Sequence, residues 1–104
     1  MVRKNAITIP LSEQDRLEII IEKDGGDVKG FVVNYVATID GRDRSVVRYD
    51  TRHGHAHKDS LRPDGTHELK EPMPELDGMA LVDLAIDDLK ANWKAYRRRF
   101  ERWA

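Results

Sequence analysis

The chain contains no cysteine, which excludes a disulfide framework and a thiolate metal site and fits a reducing compartment. No apolar run approaches the roughly 20 residues that a membrane-spanning helix needs. The opening MVRKNAITIP has no apolar stretch of signal-peptide length. A cytoplasmic protein with no membrane partner is therefore expected. Aromatic residues are few, two Trp, three Tyr and two Phe, so where they cluster is informative. No repeat and no low-complexity linker interrupts the 104 residues, and a single domain over 1–104 is expected. A chain of this size buries a real but modest core.

Charge is plentiful, at 36% of residues, and nearly balanced at a net −1, but unevenly spread. Within 90–104, Lys90, Lys94, Arg97, Arg98, Arg99 and Arg102 stand against Glu101 alone. A basic end on an acidic body suits a polyanion, an acidic protein or a second copy of the chain. It equally suits a solvated helix end whose cations favour the C-terminal dipole.

The middle of the chain alternates strands and turns. RLEIIIEK, DGGD and VKGFVVNYVATI read as strand, turn and strand, and Asp40-Gly41 is a two-residue hairpin signal. SVVRYD follows, then a candidate turn at His53-Gly54, AHKDSL, the turn Arg62-Pro63-Asp64-Gly65 and a short strand THELK. Residues 1–15 are harder to assign: AITI reads as a short edge strand, and Ser12 as the cap of one helical turn. From about Asp77 to Trp103, Met79, Val82, Ile86, Leu89, Trp93, Tyr96, Phe100 and Trp103 recur at steps of three and four, an amphipathic helix. The expected fold is α+β: an antiparallel meander of about four or five strands within about 16–70, packed on one face by the long C-terminal helix. Such a helix is roughly 40 Å long, whereas strands of about six residues reach only about 20 Å. Its aromatic end is therefore expected to overhang the sheet, with Trp93, Tyr96, Phe100 and Trp103 forming a partner interface in a homodimer or heterodimer.

Two-residue turns at Gly25-Gly26, Asp40-Gly41 and His53-Gly54 define a trial register. It collects Leu17, Ile19, Ile21, Val32, Val36, Val47, Tyr49 and Ala56 on a core face. The opposite face receives Phe31, Val33, Tyr35, Val46, Arg48, Asp50, His57 and Asp59, with Asp50 opposite His57 and Arg48 opposite Asp59.

The densest chemistry lies in RYDTRHGHAHKD, from Arg48 to Asp59. On an extended strand His53 and His57 stand about 13 Å apart, which strains the reach of two imidazoles on one ion. The spacing leaves His55 and His57, helped by Asp50 or His67, as the metal alternative. The expectation is nevertheless no metal and no cofactor. Acid–base chemistry fits the spacing better. His57 facing Asp50 would have its tautomer fixed, Arg48 could hold a phosphate bidentately, and His53 or His55 could be a second proton-transfer group. Arg48, Asp50, His53 and His57 are thus the candidate catalytic set of a metal-independent ribonuclease. Phe31 and Tyr35 would stack bases of single-stranded RNA on the open face, with Arg97 and Arg98 as further RNA contacts. The plainer alternative is that Arg48–Asp59 and Asp50–His57 are cross-strand pairs stabilising a hairpin by roughly 0.2–1 kcal/mol each.

The order of strands carrying RYDT…HG…H, followed by a closing amphipathic helix, resembles small prokaryotic toxins of the TumE-like type. It also resembles related families in which an Arg-Tyr/Trp-Asp segment runs into a His-containing turn. The resemblance covers about Phe31 to Trp103 and is best at Arg48, Tyr49, Asp50, His53 and His57. The sequence has HGHAH where the toxin pattern runs through a Pro-His-His segment. The resemblance implies the toxin of a toxin–antitoxin module, acting on RNA or translation in the cytoplasm and held by an antitoxin-like protein. The alternative is a non-enzymatic interaction module that dimerises or docks through its C-terminal helix.

Overall fold

The computed structural model describes residues 1–51 and 55–103, leaving aside the side chains of His67 and Glu68. Six strands, β1 (Val2–Pro10), β2 (Asp15–Asp24), β3 (Asp27–Ile39), β4 (Arg42–Asp50), β5 (His57–Leu61) and β6 (His67–Pro72), precede one helix, α1 (Gly78–Arg102). The strands lie side by side in chain order, each antiparallel to the next. This is the expected α+β meander, enlarged by β1, an edge strand that begins at Val2 and takes in AITI. No helical turn follows it. Ser12 instead ties a bend, its Oγ donating to Asp15 Oδ2 and accepting from the Gln14 N–H.

Both tight hairpins close where the turn chemistry places them, and both then slip by one residue. Asp40 and Gly41 adopt φ of 53° and 75°, the left-handed pair that such a turn requires. Ile39 accordingly faces Arg42, but Val36 faces Ser45 and Tyr35 faces Val47, so Val46 is an extra residue in β4. In the preceding hairpin Asp24 faces Asp27 and Lys23 faces Val28, yet Glu22 faces Gly30, leaving Lys29 as the extra residue. Each of these β-bulges exchanges the faces of everything beyond it.

The trial register is corrected accordingly. Phe31, Val33 and Tyr35 join Leu17, Ile19 and Ile21 on the helix-facing side, while Val32 and Val36 turn away from it. Phe31 and Tyr35 are 3% and 0% exposed, so they are core residues and not an RNA-stacking platform. Val47 and Tyr49 keep their expected place in the core.

Helix α1 starts at Asp77, whose side chain accepts the Ala80 N–H, and buries Leu81, Val82, Ala85, Leu89 and Phe100 against β3 and β4. Each such aliphatic or aromatic side chain contributes roughly 1.5–3 kcal/mol by leaving water. The expected overhang does not occur. Strand β3 has 13 residues, about 43 Å at 3.3 Å per residue, and α1 has 25, about 37 Å at 1.5 Å per residue. Phe100 is 3% exposed, and Trp93 meets the Tyr35 ring edge-on at 6.2 Å. The guanidinium groups of Arg62 and Arg99 stand 5.6 and 5.2 Å from the centre of the Trp103 ring. The aromatic end thus packs within its own chain.

Candidate functional site

Alternation along β4 and β5 sorts the polar side chains by face. On the helix side they form ties. Asp88 of α1 accepts hydrogen bonds from the hydroxyls of Tyr49 and Tyr96 and from Asn92 Nδ2, with Lys58 Nζ at 3.4 Å. Lys58 also donates to Tyr96 Oη at 2.7 Å and sits over the Tyr96 ring. At the other flank Arg97 Nη1 donates to Asp15 Oδ1 at 2.8 Å while its Nε donates to Glu101. Burial pushes both Asp15 and Asp88 up. The hydrogen bonds that each accepts, with the nearby cation, more than offset this and hold both carboxyls below their usual range. Arg97, expected to contact RNA, is therefore engaged in holding the fold. Arg98 is exposed on the outer surface of α1.

The face away from the helix carries a different cluster. There Asp50 stands opposite His57 and Arg48 opposite Asp59, as the trial register places them. His57 Nε2 lies 3.0 Å from Asp50 Oδ1 and 3.3 Å from Asp59 Oδ2. Arg48 Nε donates to Asp50 Oδ2 at 2.9 Å, and its Nη2 is 3.8 Å from Asp59 Oδ2. His57 Nδ1 is 3.0 Å from the carbonyl oxygen of His55. A carbonyl can only accept, so Nδ1 carries the proton and Nε2 is the atom turned to the carboxylates. Asp50, Asp59 and His57 are 0%, 1% and 7% exposed.

Three of the four candidate catalytic residues, Arg48, Asp50 and His57, are thus brought together, and His53 lies outside the described residues. Asp59 belongs with them, although the sequence reading gave it only the role of an ion-pair partner. The signal for it was the same register that set it opposite Arg48. His55 is exposed and contributes its backbone carbonyl. A hollow of about 400 Å³ lined by Ile39, Arg42, Arg44, Pro63, Phe100 and Glu101 lies toward the opposite end of β4 and includes none of the cluster.

A family model described as a domain of unknown function, DUF7718, matches residues 1–104. The chain belongs to that family. No curated protein and no solved structure matches it. The description of DUF7718 names no activity. Among the described residues no helix is long and apolar enough to cross a membrane.

Proposed function

We propose that this protein is a small toxin-like ribonuclease whose reaction centre is Arg48, Asp50, His57 and Asp59. One observation carries the reading: an imidazole of defined tautomer sits between two buried carboxylates beside a guanidinium, on the sheet face that the helix leaves open. Stability alone is a poor reason for such a cluster. Removing ions from water costs several kcal/mol each, and apolar residues of similar volume usually serve as well or better. The resemblance of RYDT…HG…H to the TumE-like toxins points the same way.

The reaction these groups suit is attack of a ribose 2′-hydroxyl on the neighbouring phosphorus. The hydroxyl proton passes to His57 Nε2, the bond to the 5′-oxygen breaks, and that oxygen leaves with a proton from water. The His55 carbonyl orients the ring through Nδ1–H, Asp50 and Asp59 stabilise the imidazolium that forms, and Arg48 places positive charge beside the phosphate. Purified protein should cleave RNA, and its induction should slow bacterial growth. His57→Ala should lower cleavage by roughly 10²–10⁴-fold, the usual contribution of a general acid or base. Wild-type protein that neither cleaves RNA nor slows growth would sink the reading.

A docking role for the outer face of α1 is favoured by a separate feature. Lys90, Lys94, Arg98 and Arg102 recur every four residues, all exposed, and among the described residues none of them forms an ion pair. That ladder faces away from the sheet, so it suits an acidic protein surface, such as an antitoxin-like partner, better than the RNA at the cluster. Reversing two of the charges should abolish capture of such a partner and leave RNA cleavage unchanged.

A further inference from the structure

We infer that Asp50, His57 and Asp59 bind one divalent first-row cation such as Mn²⁺ or Zn²⁺. An ion on Nε2 makes the ring a ligand and no longer the proton acceptor described above, so the use of the cation in RNA chemistry rests on the function proposed above in its RNA substrate alone, whereas its occupancy does not rest on it. The ligand atoms of the three side chains, all buried, lie within 4.8 Å of one another. His57 Nδ1 is committed to the carbonyl of His55, which leaves Nε2 as the ring's ligand atom. A backbone carbonyl on the far nitrogen is a common support for a metal-bound imidazole.

The spacing is that of ligands sharing an ion. Two atoms held about 2.0–2.1 Å from one ion stand about 3 Å apart at a right angle and about 3.4 Å apart at the tetrahedral angle. The observed separations from Nε2 are 3.0 Å to Asp50 Oδ1 and 3.3 Å to Asp59 Oδ2. A single N–H cannot point along both lines, whereas an ion on Nε2 can take a carboxylate ligand along each. Arg48 Nε bonds the other Asp50 oxygen, Oδ2, and its Nη2 stands 3.8 Å from Asp59 Oδ2, beyond hydrogen-bond distance.

Charge gives the cation a purpose. Among the described residues, two carboxylates against one guanidinium leave Arg48, Asp50, His57 and Asp59 net negative when the imidazole is neutral, which would repel an RNA phosphate. A divalent ion makes it net positive. Two carboxylates and one imidazole suit Mn²⁺, Fe²⁺ or Zn²⁺ better than Mg²⁺ or Ca²⁺, which prefer all-oxygen sets, or Cu⁺, which prefers sulfur. Histidine spacing along the chain does not reveal the site, because its ligands come from two strands.

The test is titration of the metal-free, untagged full chain with MnCl₂ and, separately, ZnCl₂ by calorimetry. NMR with Mn²⁺ would locate the ion by paramagnetic broadening. One equivalent should bind, with broadening centred on Asp50, His57 and Asp59. Asp59→Asn and His57→Ala should weaken binding by at least about 100-fold, whereas His55→Ala, at an exposed position, should not. Absence of saturable binding by wild type overturns the inference. So does binding that survives Asp59→Asn and disappears in His55→Ala, which would mark a surface histidine site. The wild-type broadening decides the matter even where a variant fails to fold. A bound ion without RNA cleavage would sink the ribonuclease reading alone. Cleavage undiminished by chelation in protein that binds no ion would sink the cation alone.

Discussion

Arg97 Nη1 lies 2.8 Å from Asp15 Oδ1, joining the last turns of α1 to the first residue of β2 across 82 positions of the chain. The same oxygen accepts the Tyr35 hydroxyl at 2.5 Å, and Ser12 Oγ donates to its neighbour at 2.6 Å. On the opposite flank Asp88 collects Tyr49, Tyr96 and Lys58. The helix is therefore fastened to the sheet along both edges through a buried or half-buried carboxylate.

These carboxylates set the acid limit of stability. Both are held below their ordinary value of 3.8 when folded, so each favours the folded state fully above the unfolded carboxylate range and loses that contribution as pH falls through the depressed folded value. Urea unfolding from neutral pH to about pH 2 should show stability falling from about pH 4 downward. In Asp15→Asn the protein should be weaker at neutral pH, and its acid slope shallower. An unchanged slope in that variant would remove Asp15 from the account.

All three tyrosines are raised above their ordinary value of 10.0. Burial is the first cause for each, reinforced at Tyr35 by Asp15 and at Tyr49 and Tyr96 by Asp88, although Lys58 pulls Tyr96 the other way. A raised folded value means that the stabilisation is complete below about pH 10 and is lost above it. No phenol should ionise near pH 10 in the folded protein, and tyrosinate absorbance should rise together with alkaline unfolding. A separate tyrosinate step preceding unfolding would contradict this. Tyr49→Phe, which removes a donor from a charged acceptor, should cost about 1.5–3 kcal/mol.

Gly78 allows α1 to start against β3. A Cβ there would lie 2.5 Å from Val28 Cβ and 2.8 Å from its Cγ1. Gly78→Ala should therefore destabilise by about 1–3 kcal/mol through overpacking, outweighing the gain of up to about 1 kcal/mol in helix propensity. In a thermal-unfolding double-mutant cycle with Val28→Ala, the second substitution should recover part of the loss. Strictly additive effects would show that the contact is relieved elsewhere.

Phe100 tests whether the aromatic end belongs to the chain's own core. At 3% exposure, Phe100→Ala should cost about 3–5 kcal/mol. The loss should be the same at every protein concentration. Were the ring covered by a second copy, the melting temperature would instead depend on concentration.

The helix was legible because its apolar residues repeat at one period over the whole segment, and nothing else in the chain competes with that pattern. The pairings Asp50–His57 and Arg48–Asp59 were legible because complementary charges sit two residues apart on both strands. Strand β3 was not. In FVVNYV, Phe31, Val32 and Val33 are consecutive, as are Tyr35 and Val36, so apolar side chains occupy both faces and alternation cannot say which one is buried. The extra residues, Lys29 and Val46, leave no mark in turn chemistry because both turns close normally before the bulges occur.

From β2 onward the sequence by itself determined the element types, their antiparallel order, the position of the long helix in the chain and which four polar side chains of β4 and β5 meet. These follow from local chemistry and from periodicity, which act over a few residues. Only the tertiary structure decided that Phe31 and Tyr35 belong to the core, that β3 is long enough to carry the whole helix, and that Arg97 is committed to Asp15. A one-residue bulge costs little locally, but it turns every following side chain to the other face. Packing of α1 against the completed sheet is what favours one choice over the other.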